Sequence, residues 1–292
     1  MHRGVMSLSS EGAALRSGGS ASGSSMSQID VRMITVEGQR LNVAIRQTAS
    51  ARPPLLLFNG IGANWELARS FLEALTDTTA IIFDVPGVGR SPLPTWPYRP
   101  AAIARLGRGV FEQLGHHEAD AAGVSWGGGM AQQFAHQYPQ VCRRLVLAAT
   151  SPGAIMVPGS PRVLMHMVTP RRYIDKGYMS RVAAEIYGGA FRDDPLLIQR
   201  YSGAMAGTGR LGYLYQLMAM AGWSSLPWLH ALRQPTLVLM GRDDPLVPLV
   251  NGRILARLIP HAQLQIIEDG HLFLVTRAAE AADRIETFLR RE

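Results

Sequence analysis

The stretch ADAAGVSWGGGMAQQFAHQY, residues 119–138, decides the fold. It begins as an apolar strand, passes through Gly-Val-Ser-Trp-Gly and continues as a helix. Gly123 and Gly127 allow the tight, strained turn that lifts the hydroxyl of Ser125 clear of the sheet edge. The N-terminus of the following helix points at this hydroxyl, and its dipole favours negative charge that develops there. The pattern therefore predicts that Ser125 is a catalytic nucleophile.

A serine hydroxyl needs a base, and the base needs a carboxylate that fixes its tautomer. In a sheet with this turn, the three groups follow one another in the chain as serine, acid and histidine. The segment IIEDGHLFL supplies His271 after a predicted strand. His116 and His117 fall between a helix and a strand, and His136 lies on a helix that leads away from Ser125. We therefore expect His271 to be the general base.

The acid comes from PTLVLMGRDDPLVP, where Asp243 and Asp244 are adjacent at the end of a predicted strand. Their side chains must point in different directions, so one of them takes the role. In G-x-x-D-P the aspartate directly before the proline usually does, which favours Asp244. Asp243 is then expected to be a turn residue that bonds its own backbone, and it remains the alternative.

The negative charge that develops on a substrate carbonyl oxygen needs two backbone N–H donors. Trp126, which follows the nucleophile, offers one. The segment FNGIGAN follows the first buried parallel strand and offers Ile61 as the other. Gly60 and Gly62 allow a close approach, and the side chain of Asn59 is expected to shape the loop by hydrogen bonds.

The remaining pattern predicts a mostly parallel sheet flanked by helices. Residues 31–46 alternate around Glu37-Gly38 as a β-hairpin would. Short apolar runs then follow at helix-length intervals: PLLLF, TAIIFD, ADAAGVS, RLVLAAT, PTLVLMG and AQLQIIED. Such runs are typical of strands buried on both faces. We expect one catalytic core formed by residues 29–150 and 235–292.

Two segments stand outside this core. Residues 1–28 are rich in Ser and Gly, lack the apolar region of a secretory signal and are expected to be a disordered leader, with Met26 as a possible start. Residues 151–234 are expected to form a helical lid, part of which lines an apolar pocket. Its large apolar residues include Met165, Met167, Met179, Met205, Met218, Met220, Tyr201, Tyr213, Tyr215, Trp223 and Trp228.

Composition restricts the classes of function. Of the 292 residues, 47% are hydrophobic and 17% charged, as in a globular protein with a sizeable core. The net charge of +7 comes from scattered basic residues, so we expect no nucleic-acid groove. The sequence contains no run of about 18 apolar residues, which argues against a transmembrane helix. Cys142 is the only cysteine and is expected to be a small packing residue.

No motif calls for a cofactor or a metal. DVPGVGRSP has the glycines of a phosphate-binding loop, but it lacks the Lys-Ser/Thr pair. Its glycines are expected to form tight turns. No H-x-x-x-H or C-x-x-C grouping is present in the sequence.

With these motifs in place, the chain resembles the intracellular poly(3-hydroxyalkanoate) depolymerases of the α/β-hydrolase superfamily that act on medium-chain-length polyester. The resemblance runs from about residue 31 to the end and is most specific in VPGSPRV, TPRRY and IYGGAFRDDP of the lid. It implies an α/β-hydrolase fold and hydrolysis of stored polyester at the surface of cytoplasmic granules. It also implies the roles of nucleophile, acid and base for Ser125, Asp244 and His271.

Three alternatives stay open at this point. The first is a carboxylesterase or a hydrolase of carbon–carbon bonds that uses the same three residues on a small soluble substrate. The second is a granule-coating or adaptor protein, which the intact set of Ser, Asp and His argues against. The third is an acyltransferase, although the H-x-x-x-x-D signature of hydroxyacyl transferases is not apparent.

Overall fold

The computed structural model describes residues 29–169, 171, 175, 177–194, 196–205 and 209–291. The predicted leader, residues 1–28 with Met26, lies outside the described residues, and so does the side chain of Met205.

Eight strands of the described chain form one sheet, with strand order β1-β2-β4-β3-β5-β6-β7-β8. The first two strands pair antiparallel, as do β2 and β4, and all other neighbours are parallel. The strands are β1 (Ile29–Val36), β2 (Gln39–Arg46), β3 (Leu55–Phe58), β4 (Ala80–Phe83), β5 (Ala119–Val124), β6 (Cys142–Ala148), β7 (Thr236–Gly241) and β8 (Ala262–Ile267). The predicted hairpin and each of the predicted parallel strands are confirmed.

The hairpin closes at a two-residue turn. Glu37 and Gly38 have φ values of 49° and 80°, which a tight hairpin turn of the type I′ class requires. The antiparallel register runs from Ile29 opposite Arg46 to Val36 opposite Gln39. The hairpin thereby adds two antiparallel strands to one side of the parallel sheet.

Helices cover both faces of the sheet. The α-helices are α1 (Arg69–Ala74), α2 (Pro100–Gln113), α3 (Trp126–Gln137), α4 (Pro161–Val168), α5 (Tyr178–Tyr187), α6 (Ala190–Asp193), α7 (Leu196–Met205), α8 (Arg210–Met220), α9 (Leu249–Leu258), α10 (Phe273–Thr276) and α11 (Ala278–Leu289), and Trp65–Ala68 and Leu226–Ala231 are 3₁₀ helices. Proline stands in the first turn of α2 and of α4, where its missing N–H has no intrahelical acceptor.

Strand β3 shows how the core is divided. Successive side chains of a strand point to opposite faces. Leu56 and Phe58 pack in the cluster that contains apolar residues of α2 and α3, whereas Leu55 and Leu57 pack in the cluster that contains those of α1 and α11. All four residues are buried, so this strand needs the uninterrupted apolar run seen in the sequence.

Residues 151–234 interrupt the alternation of strands and helices, and their described elements are α4 to α8 and the 3₁₀ helix Leu226–Ala231. This insertion packs on loops at the carboxyl ends of the strands. Gly212 of α8 lies against Gly87 in the loop after β4, and Gly188 lies against Asp243 in the loop after β7. The insertion therefore covers the edge of the sheet at which Ser125 lies.

Within the described ranges, no helix combines the length and the apolar character needed to cross a membrane. Cys142 is buried at the start of β6, and burial raises the pKa of its thiol. This position agrees with the predicted packing role of Cys142.

Candidate active site

Ser125 lies between β5 and α3 in a strained backbone conformation, with φ 56° and ψ −119°. Such a φ is rare for a residue with a side chain and persists only where the surroundings enforce it. Close packing enforces it here, because a Cβ atom at Gly123 would overlap the carbonyl oxygen of Gly127, and one at Gly127 would overlap the carbonyl oxygen of Phe58. The two glycines flanking the turn are therefore needed for space.

Ser125, His271 and Asp244 form a continuous chain of hydrogen-bonding atoms. The Nε2 atom of His271 lies 2.9 Å from the Oγ atom of Ser125, and its Nδ1 atom lies 2.7 Å from Oδ2 of Asp244. The side chains of His271 and Asp244 are 3% and 0% exposed. A carboxylate on Nδ1 favours the tautomer with the proton on that nitrogen, which leaves Nε2 free to accept the serine proton. The arrangement can therefore activate the hydroxyl as a nucleophile.

The second oxygen of Asp244 is held by its own loop. Oδ1 accepts the backbone N–H groups of Leu246 at 3.0 Å and of Val247 at 2.8 Å. These bonds satisfy the buried carboxylate and fix its orientation toward His271. The loop after β7 thus aims the acid at His271.

Asp243 does not bond its own backbone, and the prediction on this point was wrong. Its Oδ2 atom accepts the N–H of Gly189 at 2.9 Å and pairs with Arg192 at 2.6 Å. Because Asp244 points inward to His271, its neighbour points outward and meets the insertion. The own-backbone bonds expected of Asp243 are made by Asp244.

The backbone of the FNGIGAN loop passes close to the nucleophile. A Cβ atom at Gly60 would lie 3.7 Å from Cβ of Ser125. Asn59 shapes the loop as expected, because its Nδ2 donates to Asn64 O at 2.7 Å and its Oδ1 accepts Gly60 N–H at 2.9 Å. Ile61 lines the cavity beside Ser125. These positions make the Ile61 N–H a candidate donor to the oxyanion.

Ile61 and Trp126 both line the larger part of that cavity together with Ser125. Within the described part of the chain, the backbone N–H groups of Ile61 and Trp126 donate to no protein acceptor. Two N–H donors of this kind beside a nucleophile can stabilise a developing alkoxide.

The cavity has two chambers that meet at Ser125. The inner chamber has a volume of about 60 Å³ and is walled mainly by Leu57, Leu67, Val124, Leu272, Leu274 and Val275. The outer chamber has about 420 Å³ and is walled mainly by Met156, Leu164, Met167, Tyr213, Leu217 and Met220. The outer volume lies in the range of small-molecule sites, and the walls of both chambers are mostly apolar.

Part of the insertion lines the cavity, as expected. Met167, Tyr213 and Met220 are wall residues, whereas Met165 and Met218 are exposed to solvent. Trp228 stacks on His136 with ring centroids 4.2 Å apart, so it packs on α3 instead of facing the cavity.

Sequence reasoning missed two residues that touch this site. The carbonyl oxygen of Tyr187 accepts the N–H of His271 at 2.7 Å. Gln216, which is buried on α8, accepts the N–H of Gly62 at 2.9 Å. Both lie in the insertion, where no strand–helix alternation or short motif marks a functional position.

The glycine-rich loop after β4 is a packing turn. Gly87 and Gly89 have φ values of 86° and 53°, as the prediction of tight turns requires. Asp84 in this loop is buried, and burial raises the pKa of its carboxyl. Its Oδ1 accepts the N–H of Trp65 at 2.7 Å. Asp84 thereby supports the 3₁₀ helix that follows the FNGIGAN loop.

Among the residues that the structure describes, no three His, Cys, Asp or Glu side chains are grouped as a metal site would require. The Ser125 hydroxyl contacts the imidazole of His271, which in turn contacts the carboxylate of Asp244.

Comparison with known proteins gives one consistent family. The model of the alpha/beta hydrolase fold matches residues 53–278. A poly(3-hydroxyalkanoate) depolymerase of Ectopseudomonas oleovorans is 51% identical over 262 residues, which cover 89% of this chain and 93% of that protein. A 2-hydroxymuconate semialdehyde hydrolase of Pseudomonas putida is 30% identical over 241 residues, covering 76% of this chain and 80% of that protein.

A solved structure shows the same fold. The enol-lactonase from Burkholderia xenovorans LB400 superposes with a TM-score of 0.79 at 22% identity, covering 89% of this chain and all of that chain. Sheet order, the strained serine turn and the family match thus lead to one conclusion: this chain belongs to the alpha/beta hydrolase family, in which it is a relative of poly(3-hydroxyalkanoate) depolymerase.

Proposed function

We propose that this chain is a serine hydrolase that cleaves ester bonds of intracellular medium-chain-length poly(3-hydroxyalkanoate). The observation that carries the proposal is the hydrogen-bonded set of Ser125, His271 and Asp244, which lies where two apolar chambers meet. The 51% identity to a poly(3-hydroxyalkanoate) depolymerase supports the polymer as substrate.

In the first half of the reaction, Oγ of Ser125 attacks the ester carbonyl while Nε2 of His271 takes its proton. Asp244 stabilises the imidazolium through Nδ1–H. The backbone N–H groups of Ile61 and Trp126 hold the oxyanion of the tetrahedral intermediate. When this intermediate collapses, the C–O bond of the ester breaks, His271 gives its proton to the leaving oxygen of the polymer chain, and a 3-hydroxyacyl enzyme remains.

Water completes the reaction. His271 takes a proton from the water, whose oxygen attacks the acyl carbonyl, and the proton then returns to Oγ of Ser125 as the second tetrahedral intermediate collapses. The products are a 3-hydroxy acid or a short oligomer, together with the shortened chain. The reaction needs water as its only co-reactant, and the proposal includes no cofactor.

The outer chamber suits flexible alkyl side chains. Its walls include Met156, Met167 and Met220, whose unbranched thioethers adapt to variable shapes. Each buried methylene contributes roughly 0.8 kcal/mol, or about a fourfold preference, until the chamber is full. Medium-chain side groups are therefore favoured over methyl groups.

The same proposal treats residues 1–28 as a leader and residues 151–234 as a lid over the core formed by residues 29–150 and 235–292. An apolar surface of the lid continues from the cavity mouth outward. Val168 lines the outer chamber and is 56% exposed, and Met165, on the same helix, is 64% exposed. We assign this surface to docking on polyester granules in the cytoplasm, where a polymer chain can enter toward Ser125.

Hydrolysis of a small soluble substrate is the second candidate. It is favoured by the small inner chamber beside Ser125 and by the 30% identity to 2-hydroxymuconate semialdehyde hydrolase. That relative is named for a semialdehyde substrate, and this chain uses the same residue types for either reaction.

One assay separates the two candidates. Released acid is titrated from emulsified medium-chain polyester, short-chain polyester, and soluble octanoate and acetate esters, with wild type and with Ser125→Ala. We expect clear release from amorphous medium-chain polymer, little from short-chain polymer, and faster turnover of octanoate than of acetate esters. Equal release from both polymers, or rapid hydrolysis of soluble esters with none of the medium-chain polymer, contradicts the proposal and favours the second candidate.

A further inference from the structure

Gln216 connects two segments of the site that are far apart in sequence. It lies on α8 of the insertion and is completely buried. Its Oε1 accepts the N–H of Gly62 at 2.9 Å, and its backbone carbonyl accepts the indole N–H of Trp126 at 3.0 Å. One residue of the insertion thus contacts both segments that carry the proposed oxyanion donors.

The N–H of Ile61 belongs to the peptide between Gly60 and Ile61. The carbonyl of this peptide accepts the N–H of Ala63 at 3.2 Å, which sets the direction of the amide plane. The preceding peptide is fixed because Gly60 N–H donates to Oδ1 of Asn59 at 2.9 Å. These bonds arise within the loop itself.

The peptide that follows Ile61 is held from outside the loop. Its N–H, at Gly62, donates to Gln216, 154 positions away in the chain. Loss of this acceptor would remove the bond that ties this buried N–H to the insertion, and the backbone could then shift. Gly62 has φ 73° and no Cβ atom, so such a shift meets little steric resistance.

On this basis we propose that Gln216 is a positioning residue that fixes the Ile61 and Trp126 donors in the direction of the oxyanion. The proposal rests on the serine hydrolase function proposed above. Gln216 lines neither chamber and acts through Gly62 and Trp126. Because Tyr213 on the same helix walls the outer chamber, seating of α8 and orientation of the oxyanion donors are coupled.

The test compares Gln216→Met with Gln132→Met. Both glutamines are completely buried, and both donate Nε2 to the carbonyl four residues earlier, Gly212 and Gly128. Gln132 bonds Ser225 and the carbonyl oxygen of Ser151 instead of the oxyanion loop, and it lines neither chamber itself. Methionine has a similar length and removes the acceptor. Comparing the two variants thus separates the effect of losing a buried hydrogen bond from the effect of misplacing the oxyanion donors.

The readouts are kcat, KM and the inhibition constant of a medium-chain alkyl trifluoromethyl ketone. This ketone adds to Oγ of Ser125, its carbonyl oxygen becomes an oxyanion, and the serine proton passes to His271. We expect Gln216→Met to lower kcat about 10- to 100-fold and to weaken the inhibitor in proportion, with KM nearly unchanged. Gln132→Met should lower the melting temperature and leave the inhibition constant within about twofold.

A second variant decides the question if Gln216→Met does not fold. Trp126→Phe removes the indole N–H that donates to the backbone carbonyl of Gln216, together with one ring of the side chain, and it should lower kcat and weaken inhibitor binding in parallel. Where Gln216→Met does fold, the double variant should cost less than the product of the two single effects, because each substitution breaks one of the two bonds through which residue 216 joins the oxyanion segments. Inhibitor binding equal to that of wild type in every single variant that folds overturns the proposal. Residual hydrolysis by Ser125→Ala overturns the proposed function instead, so the two failures are distinguishable.

Discussion

The backbone N–H of His271 donates to the carbonyl oxygen of Tyr187 at 2.7 Å. This bond ties the proposed general base to the insertion. Around it, Gly189 N–H donates to Asp243, and Ala190 N–H donates to Asp269 at 2.8 Å. The short segment after α5 is therefore bonded to the loops of both the acid and the base, and it forms a fixed point of the insertion.

Replacing Gly189 with Ala should displace the segment after α5 from the loops to which it is bonded. A Cβ atom there would overlap Oδ1 of Asp269 and the N atom of Gly270. We expect kcat to fall at least about tenfold, because small displacements of a reacting group are costly. Gly115→Ala is the matched control: its φ is also positive, at 81°, and a Cβ atom would meet nothing within 4 Å. A similar kcat for both variants, measured on a soluble ester, would contradict the assigned role of the segment.

Ser125→Ala should abolish hydrolysis and leave unfolding cooperative. Alanine is smaller than serine, so it fits the turn, and it has no hydroxyl to attack the ester. The measurements are acid release and a thermal unfolding curve. Activity above about a thousandth of wild type would show that another group is the nucleophile.

Asp244→Asn should lower turnover by orders of magnitude, up to about ten-thousandfold, because asparagine does not hold the required tautomer of His271. Asp243→Asn should be much milder, since Asp243 bonds Gly189 and Arg192 at the surface of the insertion. The turnover numbers of the two folded variants show which aspartate is the acid. The reverse ranking would move the acid role to Asp243.

Stability should depend on pH through Asp120. Burial raises the pKa of this carboxyl to about 6, although Arg143 lies 2.5 Å away and opposes the shift. In the unfolded chain an aspartate releases its proton near pH 4. The folded state therefore holds a proton that the unfolded state has lost, and the free energy of unfolding contributed by Asp120 falls as pH rises from about 4 to about 6.

Asp120→Asn removes this titration. Urea unfolding of both proteins at pH 4.5 and at pH 7.5 should show that the advantage of wild type over the variant is larger at pH 4.5. An advantage that grows with pH would mean that the ion pair with Arg143 outweighs burial and holds the pKa below its ordinary value.

Met165→Gln should weaken hydrolysis of emulsified polymer and leave soluble esters unaffected. Met165 is exposed near the cavity mouth but is not a wall residue. Leu258→Gln is the control, because Leu258 is also exposed but ends α9 near the amino end of β8, at the opposite edge of the sheet. Equal polymer hydrolysis by the two variants would argue against docking through the lid.

Local patterns in the sequence were sufficient to predict the framework. Strands β3 to β7 follow from short apolar runs, because a strand covered on both faces has no polar side, whereas β8 lies at the edge of the sheet and is only partly buried. The strained turn at Ser125 follows from Gly123 and Gly127, whose close contacts are made with residues next to them or with the adjacent strand. Ser125, Asp244 and His271 were chosen from motif context and chain order. Their hydrogen-bond distances agree with that choice, and their roles stay predictions until the variants are measured.

The sequence by itself therefore determined the sheet, the strained turn and the candidate chemistry, because each depends on neighbours along the chain or on adjacent strands. The tertiary structure alone decided which way Asp243 points, that Tyr187 holds His271, and that Gln216 reaches Gly62. These bonds join residues 54, 84 and 154 positions apart. No local pattern encodes them, since they exist only after the insertion has packed across the carboxyl edge of the sheet.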